Sequence, residues 1–102
     1  MIVVIATITC VPGQRDAFLS EFKKIVPEVL NELGCMEYSP TIDEPLLSNR
    51  QQYDKERITI VEKWSDLAAL ERHLNAPHMQ EYRPKVADFV QTTELRVLSA
   101  AC

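Results

Sequence analysis

Glycine is almost missing from this chain. Only Gly13 and Gly34 occur in 102 residues, so there is no Gly-rich loop to wrap backbone amides around a phosphate, which excludes a P-loop and a dinucleotide-binding fingerprint. Cysteine is scarce and odd in number. Cys10, Cys35 and Cys102 form no CxxC or other close pair, which excludes a caged zinc or a thiol-exchange motif; they read as small buried hydrophobes plus a loose terminal thiol in a reducing cytoplasm. Positive charge is in the minority, with 11 Lys and Arg against 15 Asp and Glu for a net −4. That balance lacks the basic footprint of nucleic-acid binding and disfavours an anionic membrane surface. No apolar run approaches the roughly 18 residues that a membrane span needs, and Met1-Ile2-Val3-Val4-Ile5 follows no basic region of the kind a secretory leader carries. What remains is 46% hydrophobic and 25% charged, the make-up of a globular protein. The length suits one domain over residues 1–102, burying roughly two-thirds of its unfolded surface.

The run from Ile2 to Thr9 is β-branched and apolar on both alternating faces, as a strand covered on two sides would be, and Pro12-Gly13 ends it. From Gln14 to Leu33, apolar residues at spacings of three and four predict an amphipathic helix, with Arg15, Glu21, Lys24, Glu28 and Glu32 left to water. Pro27 predicts a kink or a break within it, and Gly34 suits the left-handed residue that ends it. Cys35 to Asp43 reads as a second strand with Met36, Tyr38 and Ile42 on one face. Asp43 to Arg57, including Ser48, is a long polar connection in which Leu46, Leu47 and Tyr53 could fold back as a lid. Ile58 to Trp64 is the clearest strand. Ser65 is placed to cap a helix carrying Leu67, Leu70 and Leu74; Asn75-Ala76-Pro77 interrupts it, a further helix turns Met79, Tyr82, Val86 and Phe89 inward past a bend at Pro84, and Thr92 to Ala100 closes the chain as a strand. The order βαββαβ is that of a ferredoxin-like α+β fold, an antiparallel sheet with both helices on one face. The two-faced first strand then predicts that a second copy covers the other face, giving a homodimer.

Side chains repeat every two residues along a strand, so Ile58, Ile60, Glu62 and Trp64 share a face. If the isoleucines point into the core, a carboxylate and an indole accompany them, and a buried carboxylate needs a hydrogen bond or a cation. His73 lies at the edge of the next helix's apolar stripe, and His78 lies near the start of the following helix; their five-residue spacing across a break is not the i, i+4 pairing of a helical metal site. A pocket between sheet and helices would hold Met36, Tyr38, Ile60, Trp64, Leu70, Phe22 and Phe89, with Glu62 and His73 as polar exceptions and Tyr82 close by. Such walls suit a flat aromatic ligand.

The string Ile58-Thr-Ile-Val-Glu62-Lys-Trp64-Ser-Asp-Leu-Ala-Ala-Leu70-Glu-Arg-His73-Leu-Asn-Ala-Pro-His78 resembles the antibiotic biosynthesis monooxygenase (ABM) family, in which a strand ending Glu-x-Trp leads to a helix ending in His and a small-Pro-His turn. Val11-Pro-Gly13 and Leu33-Gly34-Cys35-Met36-x-Tyr38 match as well. The resemblance implies a dimeric α/β barrel of ferredoxin-like halves that oxidises a small aromatic quinol or phenol with O2, without a metal or organic cofactor. It implies His73 as base or hydrogen-bond partner, Trp64 as wall and N–H donor, and Glu62 as the group setting local polarity, with Tyr38 and His78 as further candidates; the inward faces read above add Met36, Tyr82 and Phe22 around the substrate. Where haem-degrading relatives carry a haem-ligating His, this chain has Tyr82-Arg83-Pro84. The alternative is a dimeric module that binds an aromatic metabolite without turnover.

Overall fold

The β-branched run at the start becomes the strand β1 (Ile2–Cys10) at the heart of a four-stranded sheet. The computed structural model describes residues 1–47 and 49–102; Ser48, placed by sequence in the polar connection, lies outside the described residues. After β1 come the helix α1 (Arg15–Leu30), β2 (Cys35–Ile42), β3 (Arg57–Trp64), the helices α2 (Leu67–Leu74) and α3 (Pro77–Val86), and β4 (Val90–Ser99). Sheet order is β2-β3-β1-β4, with every pair antiparallel. This is the ferredoxin-like α+β arrangement expected from the element order.

Alternation along β1 sends Val4, Ala6, Ile8 and Cys10 into the core. The pairings Val4 with Glu62, Ala6 with Ile60 and Ile8 with Ile58 put the buried face of β3 beside them. Phe18, Phe22, Ile25 and Val29 of α1 meet that face; each such buried side chain is worth about 1.5–3 kcal/mol. The helix runs unbroken through Pro27. Pro27 and Lys23, whose carbonyl loses its donor four residues on, both lie on the exposed side of the helix.

Five local expectations need correction. The helix ends at Leu30 rather than at Leu33, and Leu33 is exposed. Gly34 does take a left-handed φ of +87°, but there it turns the chain into β2. The cap of α2 is Asp66, not Ser65: its carboxylate accepts the Ala69 N–H at 2.8 Å. In β2, Cys35 pairs with Trp64 and Glu37 with Lys63, so Met36 is an extra residue in the ladder. Such an insertion breaks the alternation, and Met36 is 59% exposed instead of facing inward. Finally, Leu46, Leu47 and Tyr53 stay exposed and make no lid.

Gly34 is also pinned by its neighbours. A Cβ there would lie 2.6 Å from Ser65 Oγ and 2.7 Å from Ala69 Cβ, while its carbonyl accepts the Ser65 N–H at 2.8 Å. Gly34→Ala therefore meets both a backbone penalty and a clash, and its unfolding free energy should fall by at least about 2 kcal/mol in a urea titration. An unchanged midpoint would show that the turn has room to give.

Candidate functional site

The period-two pattern of β3 delivers its expected face. Ile58, Ile60, Glu62 and Trp64 all point toward the helices, and Glu62 is 5% exposed. Its Oε1 accepts the indole N–H of Trp64 at 3.0 Å. Burial pushes the Glu62 carboxyl up to about 7, helped by the nearby Glu32 and opposed by the Trp64 hydrogen bond.

His73 comes from the last turn of α2 and is buried. Its ring lies 4.6 Å from that of Trp64, centroid to centroid, and meets Tyr38 edge-on at 5.4 Å. Nδ1 is 2.9 Å from Glu32 Oε2, and Nε2 is 3.9 Å from Glu62 Oε1. A carboxylate only accepts, so in the neutral ring Nδ1 carries the proton and the Nε2 lone pair is turned toward Glu62. Burial lowers the His73 pKa and outweighs the pull of Glu32 in the other direction, with His78 and Arg83 lowering it further. The imidazole is thus neutral at pH 7 and able to take a proton.

A cavity of about 420 Å³ opens between the sheet and the helices. Its wall is mostly apolar, from Ala6, Ile8, Phe18, Phe22, Ile60, Met79 and Val86; Glu62 and His73 interrupt it, Tyr82 joins them, and Arg83 and Thr93 border it as well. The volume lies in the range of small-molecule pockets. Phe22 stacks on Tyr38 at 5.2 Å and stands edge-on to Tyr82 at 6.2 Å, so one helix residue organises two phenols.

Of the residues singled out by sequence, the structure brings Glu62, His73, Phe22 and Tyr82 to the cavity wall. Trp64 is fully buried behind Glu62 and holds it, rather than forming wall. Tyr38 is buried beneath Phe22 and His73, and burial drives its phenol well above the ordinary range. His78 points away, its Nε2 2.7 Å from Glu32 Oε2, and Met36 is on the surface. A helical stripe carried on to Leu33 leaves Glu32 to water. It lies instead in the turn after α1, its side chain only 12% exposed, shared by two imidazoles. The available signal was indirect: two histidines flanking Asn75-Ala76-Pro77 with no partner carboxylate on their apolar side.

The raised Glu62 pKa has a sign that can be checked. The folded chain keeps this proton where the unfolded chain has lost it, so stability is full below about pH 4.5 and declines as pH rises through about 7. Glu62→Gln keeps the acceptor for Trp64 but cannot ionise. Its melting temperature should exceed that of the wild type by about 5 °C at pH 8 and match it at pH 4.5; equal melting temperatures at both pH values would contradict the burial cost.

The profile of the family described as antibiotic biosynthesis monooxygenase matches residues 1–85. Over 100 residues the chain is 41% identical to "Probable quinol monooxygenase YgiN" of Escherichia coli (strain K12), covering 96% of each protein. The fold superposes on PA3566 from Pseudomonas aeruginosa with a TM-score of 0.82 at 29% identity, covering 99% of this chain and 94% of that one. It also superposes on Rv0793 from Mycobacterium tuberculosis with a TM-score of 0.82 at 22% identity, covering 99% and 95%.

Proposed function

Since the chain belongs to the antibiotic biosynthesis monooxygenase family, we propose that it oxidises a small aromatic quinol or phenol with O2 in the cavity between sheet and helices. The observation that carries this reading is the pair Glu62 and His73, two ionisable groups side by side on an otherwise apolar wall. The name of the 41% identical relative supports the quinol.

In this reading the ring of the substrate lies among Phe22, Ile60 and Tyr82, with a hydroxyl at the polar edge. His73 Nε2 takes the hydroxyl proton as general base. The resulting anion is electron-rich enough to give an electron to O2 directly, and the apolar wall keeps bulk water from the reduced oxygen. One oxygen atom replaces a ring hydrogen and ends as a carbonyl; the other leaves as water with the two hydrogens lost by the substrate. Four electrons leave the ring and O2 accepts four, so no external reductant is consumed. Glu62 sets the polarity of the edge, and Trp64 positions it.

A homodimer belongs to the same proposal. The sheet face away from the helices carries Val3, Ile5, Val61 and Leu98, and a second copy would cover it. Sedimentation should give twice the chain mass. Residence in the cytoplasm fits three free thiols; among the described residues no helix is long and apolar enough to cross a membrane.

Oxygen uptake with a panel of naphthoquinols and anthrols, measured over autoxidation, tests the reaction. Catalysed uptake with quinone formation supports it. Quenching of Trp64 emission with no uptake from any of them would replace it with the binding module, and a Soret band on haem titration would point to a haem protein.

A further inference from the structure

Two carboxyl groups compete for the single ring proton of neutral His73. Packing fixes the ring: Trp64 lies against it at 4.6 Å and Tyr38 meets it edge-on at 5.4 Å. Its nitrogens therefore project in set directions, Nδ1 toward Glu32 Oε2 at 2.9 Å and Nε2 toward Glu62 Oε1 at 3.9 Å. Only the first is a hydrogen-bond distance. Glu32 is itself held in place. Its Oε2 also accepts the Nε2–H of His78 at 2.7 Å, and the other nitrogen of His78 lies 3.6 Å from Glu28 Oε2. The Glu32 side chain is only 12% exposed, and among the described residues its ion-pair partners are these two imidazoles, with no Lys or Arg. Taking a carboxylate out of water without a permanent cation costs stability, so packing alone gives no reason for it to stand here.

We propose that Glu32 is a positioning residue for the oxidation: it keeps the His73 proton on Nδ1, so that Nε2 meets the substrate as a base, and it steadies the imidazolium that forms. The inference rests on the monooxygenase reading for what Nε2 does, and on geometry for where the ring proton sits. Glu32 borders no part of the cavity and acts only through His73. When Nε2 takes the substrate hydroxyl proton, the new cation lies 2.9 Å from the Glu32 carboxylate, in a buried setting where their attraction is poorly screened. Nε2 then returns that proton to the reduced oxygen, which leaves as water. The neutral ring with its Nδ1–H is restored, and no proton passes through Glu32. Without Glu32, the carboxyl left facing the ring is Glu62, and a proton drawn to Nε2 would block the base. The titratable and charged groups around the ring are Glu32 in the turn after α1, Tyr38 of β2, Glu62 of β3, and His78 and Arg83 of α3. Burial lowers the His73 pKa most, Glu32 raises it, and His78 and Arg83 lower it.

The test begins with the wild-type protein and no substrate. Long-range proton–nitrogen NMR of the neutral His73 ring should report a protonated Nδ1 and a bare Nε2. A proton on Nε2 would overturn the proposal even if quinols are oxidised, and this measurement stands whether or not any variant folds. Glu32→Gln then keeps the shape and an acceptor while removing the charge. With a quinol substrate, kcat should fall at least about tenfold with KM unchanged within about twofold, since the cavity wall is intact. The acid limb of the kcat/KM profile should move to lower pH, because a group that raises the His73 pKa is lost. An unchanged kcat would overturn the role. So would a lowered kcat with the limb in its wild-type place, the mark of a merely structural residue. A protonated Nδ1 in the wild type and a His73 titration displaced to lower pH in Glu32→Gln, with no quinol turnover by either protein, would uphold Glu32 as the group that sets the ring while removing the reaction assigned to it.

Discussion

Replacing His73 by alanine is expected to lower quinol-dependent oxygen uptake at least about 100-fold, the loss typical of a general base. The prediction follows from position as much as from residue type. His73 is the one imidazole on the cavity wall; its protonated nitrogen is committed to Glu32, and burial holds its pKa down. The remaining lone pair therefore faces the substrate side. Removing it leaves Glu62 3.9 Å beyond the vacated nitrogen, and Glu62 is itself half-protonated near pH 7 because of its burial. The deficit should shrink as pH approaches about 10, the ordinary range of a phenol, where the substrate ionises unaided. Uptake equal to wild type at pH 7, in a variant that remains folded by circular dichroism, would remove His73 from the mechanism.

Trp64→Ala should be the most destabilising of the single changes considered, by about 3–5 kcal/mol. Trp64 is fully buried, its ring lies against His73, and its N–H is the donor that holds Glu62 Oε1. Truncation opens a hole and strands a buried acceptor in one step. Thermal unfolding should show a melting temperature lowered by about 15 °C or more. Trp64→Phe separates the two contributions: most of the volume stays, the N–H goes, and Glu62 should ionise at higher pH than in the wild type, since that hydrogen bond lowers its pKa. A Glu62 titration unmoved in Trp64→Phe would mean that the indole serves as packing alone.

Much of the site was legible because a strand has only two faces. With Ile58 and Ile60 in the core, Glu62 and Trp64 have to follow, and they do. The helices were legible in outline for a similar reason: Phe18, Phe22, Ile25 and Val29 can share one stripe only if the segment is helical. Errors came where regular periods stop. Met36 broke alternation by slipping one residue into the ladder, and no local residue type marks that event. Glu32 left the helical wheel because the helix closed at Leu30, and its two partners lie 41 and 46 residues further along the chain. Such pairings depend on tertiary closure, which no window of sequence contains.

The long connection between β2 and β3 is tied at its neck. Asp43 Oδ2 accepts the Asp54 N–H at 3.0 Å and lies 3.3 Å from Arg57 Nε, so one carboxylate clamps both ends. Strand register is therefore settled below the clamp. Doubling the length of such a closed loop costs only about 0.6 kcal/mol. An epitope tag inserted in this stretch should leave the chamber intact, since none of its described residues borders the cavity.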